Sequence, residues 1–174
     1  MIFIRNIIAS FVIGTLLLPV ELEKKWILDN KVEILLPKGW KPMSEELIKV
    51  KYPGARPPKL VYSDATGGIS LAFNHTDSKA SPDNLEKYKE VLKTSLENAY
   101  PDAAWEEDGI KEINGKKVGF FRVVTDTNND KIYNYMVFTD LEGRLLICSF
   151  NCIEKKVKEW KPIAQDIMNS LRFK

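Results

Sequence analysis

A chain of 174 residues, 44% hydrophobic and 29% charged, can bury one substantial core and has the balance of a single globular domain with a short appendage. Its 26 Lys and Arg stand against 24 Asp and Glu, for a formal charge of +2. The signs alternate along the chain, which argues against the clustered basic face of a nucleic-acid binder, and no repeat or low-complexity tract suggests a solenoid or a disordered tail.

Residues 1–20 differ in kind. They carry one charge, Arg5, and then the apolar run IIASFVIGTLLLPV. A positive end before a long apolar stretch is the pattern of an export signal, and the run is slightly short of the ~20 residues that span a bilayer. No Ala-x-Ala precedes the polar ELEKKW to mark cleavage, and no Cys follows for lipid attachment. The segment is read as a signal peptide or membrane anchor outside the sheet core, able to contact a membrane. The domain is placed at 21–174. The competing reading folds 1–20 into that domain as a buried first element.

The first predicted strand is 31–36, where Val32, Ile34 and Leu36 recur at period two. Pro37 ends it, Gly39 supplies a turn, and Trp40 is read as an aromatic plug folding back over the core edge. Ser44 caps a short helix through SEELIKV, and the Pro-rich KYPGARPP has no regular structure. KLVYS and GISLAFNH form a hairpin across DATGG. A helix then starts at Ser81 and Pro82, with Leu85, Tyr88, Leu92, Leu96 and Ala99 on its apolar stripe. Its outer Lys87, Lys89, Glu90 and Lys93 read as solvated.

Asn114-Gly115 joins AAWEEDGIKEI to KKVGFFRVVTD as a hairpin. The loop TNND leads to KIYNYMVFTD, and DLEGR leads to RLLICSFN, completing a four-strand antiparallel meander. The last helix buries Val157, Trp160, Ala164, Ile167, Met168 and Leu171, with Pro162 demanding a kink or a start near Lys158. Strands in consecutive pairs, with helices between groups, give an α+β fold: an antiparallel sheet sandwiched by helices.

These elements and their wording resemble the PsbP-like fold family. The resemblance rests on VEILLPKGW at the start, the Tyr- and Pro-rich KYPGARPP, the capped central helix, INGKKVGFFRV, NYMVFTDLEGRLLICSFNC and the closing WKPIAQDIMNSLRF. It covers about 31–173. The family includes the PsbP subunit of photosystem II, a Ran-binding nuclear import factor, the bacterial envelope protein DcrB and secretion-associated chaperones. It implies an αβα arrangement and non-catalytic work, binding a protein partner or supporting an assembly. It brings no catalytic motif to carry over, and this chain lacks a plant-type targeting region.

Residue chemistry points the same way. His75 is the only histidine and reads as a solvated strand-end residue. Cys148 and Cys152 fall four residues apart on one strand face, too far for a disulfide, and with one His they fail as a zinc site. They read as small buried hydrophobes. DTNND lacks the Gly and distant Glu of a calcium loop, Gly67-Gly68 lacks the lysine of a phosphate loop, and no Gly-x-Ser-x-Gly elbow occurs. No catalytic residue, metal or cofactor is expected. Candidate partner-binding residues are Trp40, Tyr52, Arg56 and Tyr62, which flank the Pro-rich connection and are of types enriched at protein interfaces. The expected function is that of a non-enzymatic protein that binds a protein partner or supports an envelope assembly. It is placed as exported, periplasmic, extracellular or membrane-anchored. The alternative is a cytoplasmic secretion-associated chaperone or immunity-type protein of the same fold, and an enzyme ranks last.

Overall fold

The computed structural model describes residues 19–54, 57–127 and 130–174. The segment read as a signal peptide or membrane anchor therefore lies outside the described residues up to position 18, and so does Arg56.

The first paired element is one that the sequence pattern does not predict. Strand β1 (Leu22–Ile27) pairs antiparallel with β2 (Val32–Pro37), from Leu22 opposite Pro37 to Ile27 opposite Val32. It is an edge strand that buries only Ile27, so Glu23, Lys24 and Lys25 hide its period. Val20, just before the boundary drawn at residue 21, packs against the core. β2 buries Val32, Ile34 and Leu36 as its alternation requires. At its end the Trp40 N–H donates to Pro37 O at 3.1 Å while Gly39 takes a φ of +83°. That is a four-residue turn whose third position needs positive φ, which glycine adopts without strain.

β3 (Lys41–Pro42) follows, then α1 (Glu45–Lys51), where the Ser44 hydroxyl accepts from the Leu47 N–H at 3.3 Å. β4 (Leu60–Ser63) and β5 (Ile69–Lys79) form the predicted hairpin. A single 3-10 turn over Pro82–Asn84 precedes α2 (Leu85–Ala99), so the α-helix proper begins later than the Ser81 cap suggests. The four-strand meander is present as β6 (Ala104–Ile113), β7 (Lys116–Asp126), β8 (Lys131–Leu141) and β9 (Arg144–Ile153). Asn114 and Gly115 both have positive φ, 49° and 81°, as a tight hairpin demands. The Asn114 side-chain amide also donates to Asn169 O and Leu171 O, tying the turn to the chain end. α3 (Val157–Asn169) carries Pro162 on its exposed side. β10 (Arg172–Phe173) adds to β2.

Seven strands form one antiparallel sheet in the order β3-β4-β5-β9-β8-β7-β6. Its first face supports α3 and the small sheet β1-β2-β10, and here the main core sits. Leu71, Phe73, Tyr133, Tyr135, Cys148 and Phe150 from the large sheet meet Ile34, Leu36, Trp160 and Met168. The second face carries α2 over Phe121, Phe138 and Leu145, and α1 over Val61 and Ala72. α2 lies lightly: only Leu85 is fully buried, and Ala99, placed on the stripe, is exposed. Nor is the outer face of α2 merely solvated. Lys93 lies 2.6 Å from Asp108 of β6 and 5.0 Å from the Trp105 ring centroid.

Candidate functional site

Strand alternation makes the two faces of the large sheet chemically different. On β9, Cys148, Phe150 and Cys152 point into the main core, so Ser149 and Asn151 point to the second face. On β8, Tyr133 and Tyr135 go inward, leaving Asn134 outward; on β5, Leu71 and Phe73 go inward, leaving Ser70, Ala72 and Asn74. The register then sets Ser70, Asn151 and Asn134 side by side across three strands, because Asn151 pairs with both of the others. Apolar side chains return where α2 and α1 cover the sheet, and at the paired Ile132 and Ile153 at the far end of the strip.

Between those helices the polar strip forms the floor of a groove. One part, about 520 Å³, is walled by Tyr52, Pro53, Pro57, Pro58 and Tyr100 over Asn74, Ser149 and Asn151. The second, about 360 Å³, shares Lys51, Tyr52, Tyr100 and Asn151 and continues over Asn134 to Thr125. These sizes fall within the usual range of ligand clefts, ~300–1,000 Å³.

The floor is internally wired. The Asn151 amide donates to Asn134 Oδ1 at 2.6 Å, and the Asn134 amide donates to Thr125 Oγ1 at 3.0 Å and Ile132 O at 2.9 Å. At the other end Lys51 Nζ donates to Gly67 O and to Ser70 Oγ, the latter at 2.9 Å, and the Tyr52 hydroxyl lies 3.2 Å from the same Ser70 oxygen. Burial pulls the Lys51 pKa below the ordinary lysine value, opposed by nearby Asp64. Burial also raises the Tyr52 phenol, opposed by its bond to Ser70. Ser149 and Asn74 make no side-chain hydrogen bond among the described residues, so their capacity faces the groove. Ser70 is wholly buried, which bars it from acting as a nucleophile.

Of the four sequence candidates Arg56 lies outside the described residues, and the other three, Trp40, Tyr52 and Tyr62, are not brought together. Tyr52 lines the groove. Tyr62 pairs with Leu71 and packs against the main core on the opposite face. Trp40 is buried there too, stacked on Trp160 with centroids 5.7 Å apart and planes at 20°. His75 is half-buried, its Nε2 3.0 Å from Leu141 O. Both cysteines are free and buried, and burial raises their pKa values, that of Cys152 to about 11. Among the described residues no group of His, Cys, Asp and Glu is arranged to hold a metal, and no helix is long and apolar enough to cross a membrane. Sequence reading missed Lys51, Asn74, Tyr100, Asn134, Ser149 and Asn151. For Asn74, Asn134, Ser149 and Asn151 the signal was present as polar side chains at every second position of strands whose other positions are apolar; Lys51 and Tyr100, at the ends of α1 and α2, carried no such signal.

No protein-family profile matches the sequence, and no curated protein is detectably similar to it. Solved structures do match. Cyanobacterial PsbP (CyanoP) from Synechocystis superposes with a TM-score of 0.64 at 13% identity, over 92% of this chain and 96% of that one. LpqN, involved in cell envelope biogenesis of Mycobacterium tuberculosis, gives 0.52 at 12%, over 87% and 90%. A protein of unknown function from Pseudomonas aeruginosa gives 0.52 at 11%, over 88% and 97%. At such identities the likeness is one of architecture: an α+β chain of antiparallel sheets and helices with the PsbP-like fold.

Proposed function

We propose that this protein is a non-enzymatic, exported or membrane-tethered binding protein, and that the groove between α1 and α2 seats its protein partner. The observation that carries the reading is the floor itself. A sheet face roofed at both ends by helices keeps a wired polar strip where apolar residues would pack at less cost. The described lining offers one ammonium and several neutral amides and hydroxyls, with no carboxylate or imidazole to move a proton. On this reading the site recognises its partner through amides, hydroxyls and one ammonium. Export is supported by the apolar segment at 1–20, through which membrane contact would arise, and by the fold shared with an envelope protein.

The test is site-specific photo-crosslinking in the native cell, with the crosslinker at Ser149 and, as a control, at Lys87 on the outer side of α2. The expected result is a discrete protein adduct from Ser149 only, recovered in the envelope fraction and lost in Ser149→Trp, whose side chain fills the groove. Adducts from Lys87 but none from Ser149 would move the partner site elsewhere. Recovery from the cytosol would refute export.

A further inference from the structure

Lys51 places a condition on what fills the groove. It is the only charged side chain lining either part of it among the described residues. An ammonium has three N–H donors. Two are used, on the neutral Gly67 O and Ser70 Oγ. No carboxylate lies within ion-pair distance, and none of the undescribed residues is acidic. Asp64, which acts on Lys51 through space, is committed to the Thr66 hydroxyl at 2.7 Å, the Ile69 N–H at 3.3 Å and Lys156 at 3.5 Å. Lys111 is likewise held by neutral groups, Tyr135 OH at 2.8 Å and Asn169 Oδ1 at 3.3 Å, but it lines neither part of the groove and lies over the Phe120 and Tyr135 rings. Three other partly buried cations have a carboxylate. Arg122 has Glu107 at 2.7 Å, Lys161 has Glu106 at 2.8 Å, and Lys93 has Asp108. A half-buried ammonium whose hydrogen bonds all go to neutral groups gains from a counter-charge at its free N–H.

The rest of the lining limits what else that counter-charge can carry. Asn151 sits across the β5–β9 ladder from Ser70, next to the ammonium. Its amide nitrogen is engaged with Asn134, which leaves its carbonyl oxygen to accept. Ser149 follows two residues along β9, and Asn74 lies beyond it on β5. Same-face positions along a strand repeat every ~6.8 Å, the spacing at which an extended ligand chain also repeats its backbone groups. Side-chain amides that both donate and accept match peptide units without selecting side chains. The rings of Tyr52 and Tyr100 and three prolines supply apolar walls. A charge of −1 matches the single cation of the described lining.

We propose that the groove receives the carboxyl-terminal end of an extended polypeptide, its free α-carboxylate on Lys51 Nζ and its backbone amides on Asn151, Ser149 and Asn74. This rests on the groove being the partner seat and narrows that seat to a chain terminus. The pattern is capture of a terminal carboxylate, with affinity from main-chain bonds and only loose side-chain preference.

The test uses the full chain, isotopically labelled. It is titrated with hexapeptides of mixed sequence bearing a free carboxyl terminus, with the same peptides amidated, and with acetate. Free-acid peptides are expected to bind at least tenfold more tightly than amides and to shift the signals of Asn74, Ser149 and Asn151. Lys51→Met is expected to equalise the two peptide forms, and Lys51→Arg to keep the preference. Should Lys51→Met fail to fold, the acid-amide comparison on the parent protein still decides. Equal binding of acid and amide, acetate binding as tightly as peptide, or no groove shifts would each overturn the inference. If the Ser149 adduct persists unchanged in Lys51→Met, the groove remains the partner seat but the carboxylate anchor is wrong.

Discussion

Gly119 lies directly against a phenylalanine ring beneath α2. It faces Phe138 across the β7–β8 ladder. A Cβ built on it would lie 2.0, 2.3 and 2.7 Å from three atoms of the Phe138 ring, where ordinary contact begins at 3.4 Å. The ring would have to retreat by more than 1 Å. It has nowhere to go, being fully buried and stacked on Phe121 at 5.3 Å, with Phe121 in turn edge-on to Trp105 at 5.6 Å. Gly119→Ala therefore belongs at the top of the ~1–3 kcal/mol range for an overpacked core. At ~2–4 °C per kcal/mol for a domain of this size, Tm should fall by about 6–12 °C, read by thermal circular dichroism. Phe138→Leu frees the space, so the double variant should lose less than the sum of the two single losses. A Gly119→Ala protein melting within about 1 °C of the parent would show that the aromatic stack yields, and the reasoning would fail.

The other expectations rest on equally local features. Trp40→Ala removes one member of the Trp40–Trp160 stack, which Phe150 extends at 6.3 Å; it should cost about 3–5 kcal/mol in urea unfolding, and a stable variant that had lost its partner would instead make Trp40 a recognition residue. Gly39→Val should cost at least ~1–2 kcal/mol for forcing a β-branched residue to φ +83°, since nothing crowds the site and strain is the only term; an unchanged unfolding midpoint would refute it. Thiol titration should find both cysteines reactive only after denaturation. Because burial raises both thiols above their ordinary 9.0, the folded chain keeps protons that the unfolded chain loses between pH 9 and about 11. Stability should thus fall as pH rises through that window, by up to ~1.4 kcal/mol per pH unit per thiol. A Cys148→Ala, Cys152→Ala protein should decline less steeply, and parallel slopes would remove the thiols from the account.

The fold was legible wherever burial is one-sided and local turn chemistry is strong. Asn114-Gly115 announced its hairpin because few other residues accept positive φ at both turn positions. Trp160, Ala164, Ile167 and Met168 announced α3 because a helix on a sheet buries one stripe. β1 was not legible, since an edge strand that buries only Ile27 leaves Glu23, Lys24 and Lys25 free to be charged. β3 and β10 were missed for a simpler reason. At two residues each they have no period, and only partners distant in sequence, Tyr62 and Ser63 for β3 and Val32 and Glu33 for β10, make them strands.

The site was harder to read because aromatic and basic residues near loops drew attention that parity would have redirected. Tyr62 and Tyr52 stand close in sequence, yet Tyr62 lies within a strand and must choose a face, and its register with Leu71 sends it to the main core. The informative stretch was CSFNC. Its Cys148, Phe150 and Cys152 fill one face so completely that Ser149 and Asn151 are committed to the other. A face roofed by helices should then have continued apolar, as Met136 and Ile147 do beneath α2. Polar residues at the same parity on β5, β8 and β9 mean that the roof stops there. The Pro-rich connection walls that opening without closing it, because Pro53, Pro57 and Pro58 lack the N–H donors that the interior of a covering strand or helix would use. The opening is thus set by strand parity and by proline together, and Lys51, the last residue of α1, is the only charge either of them brings to it among the described residues.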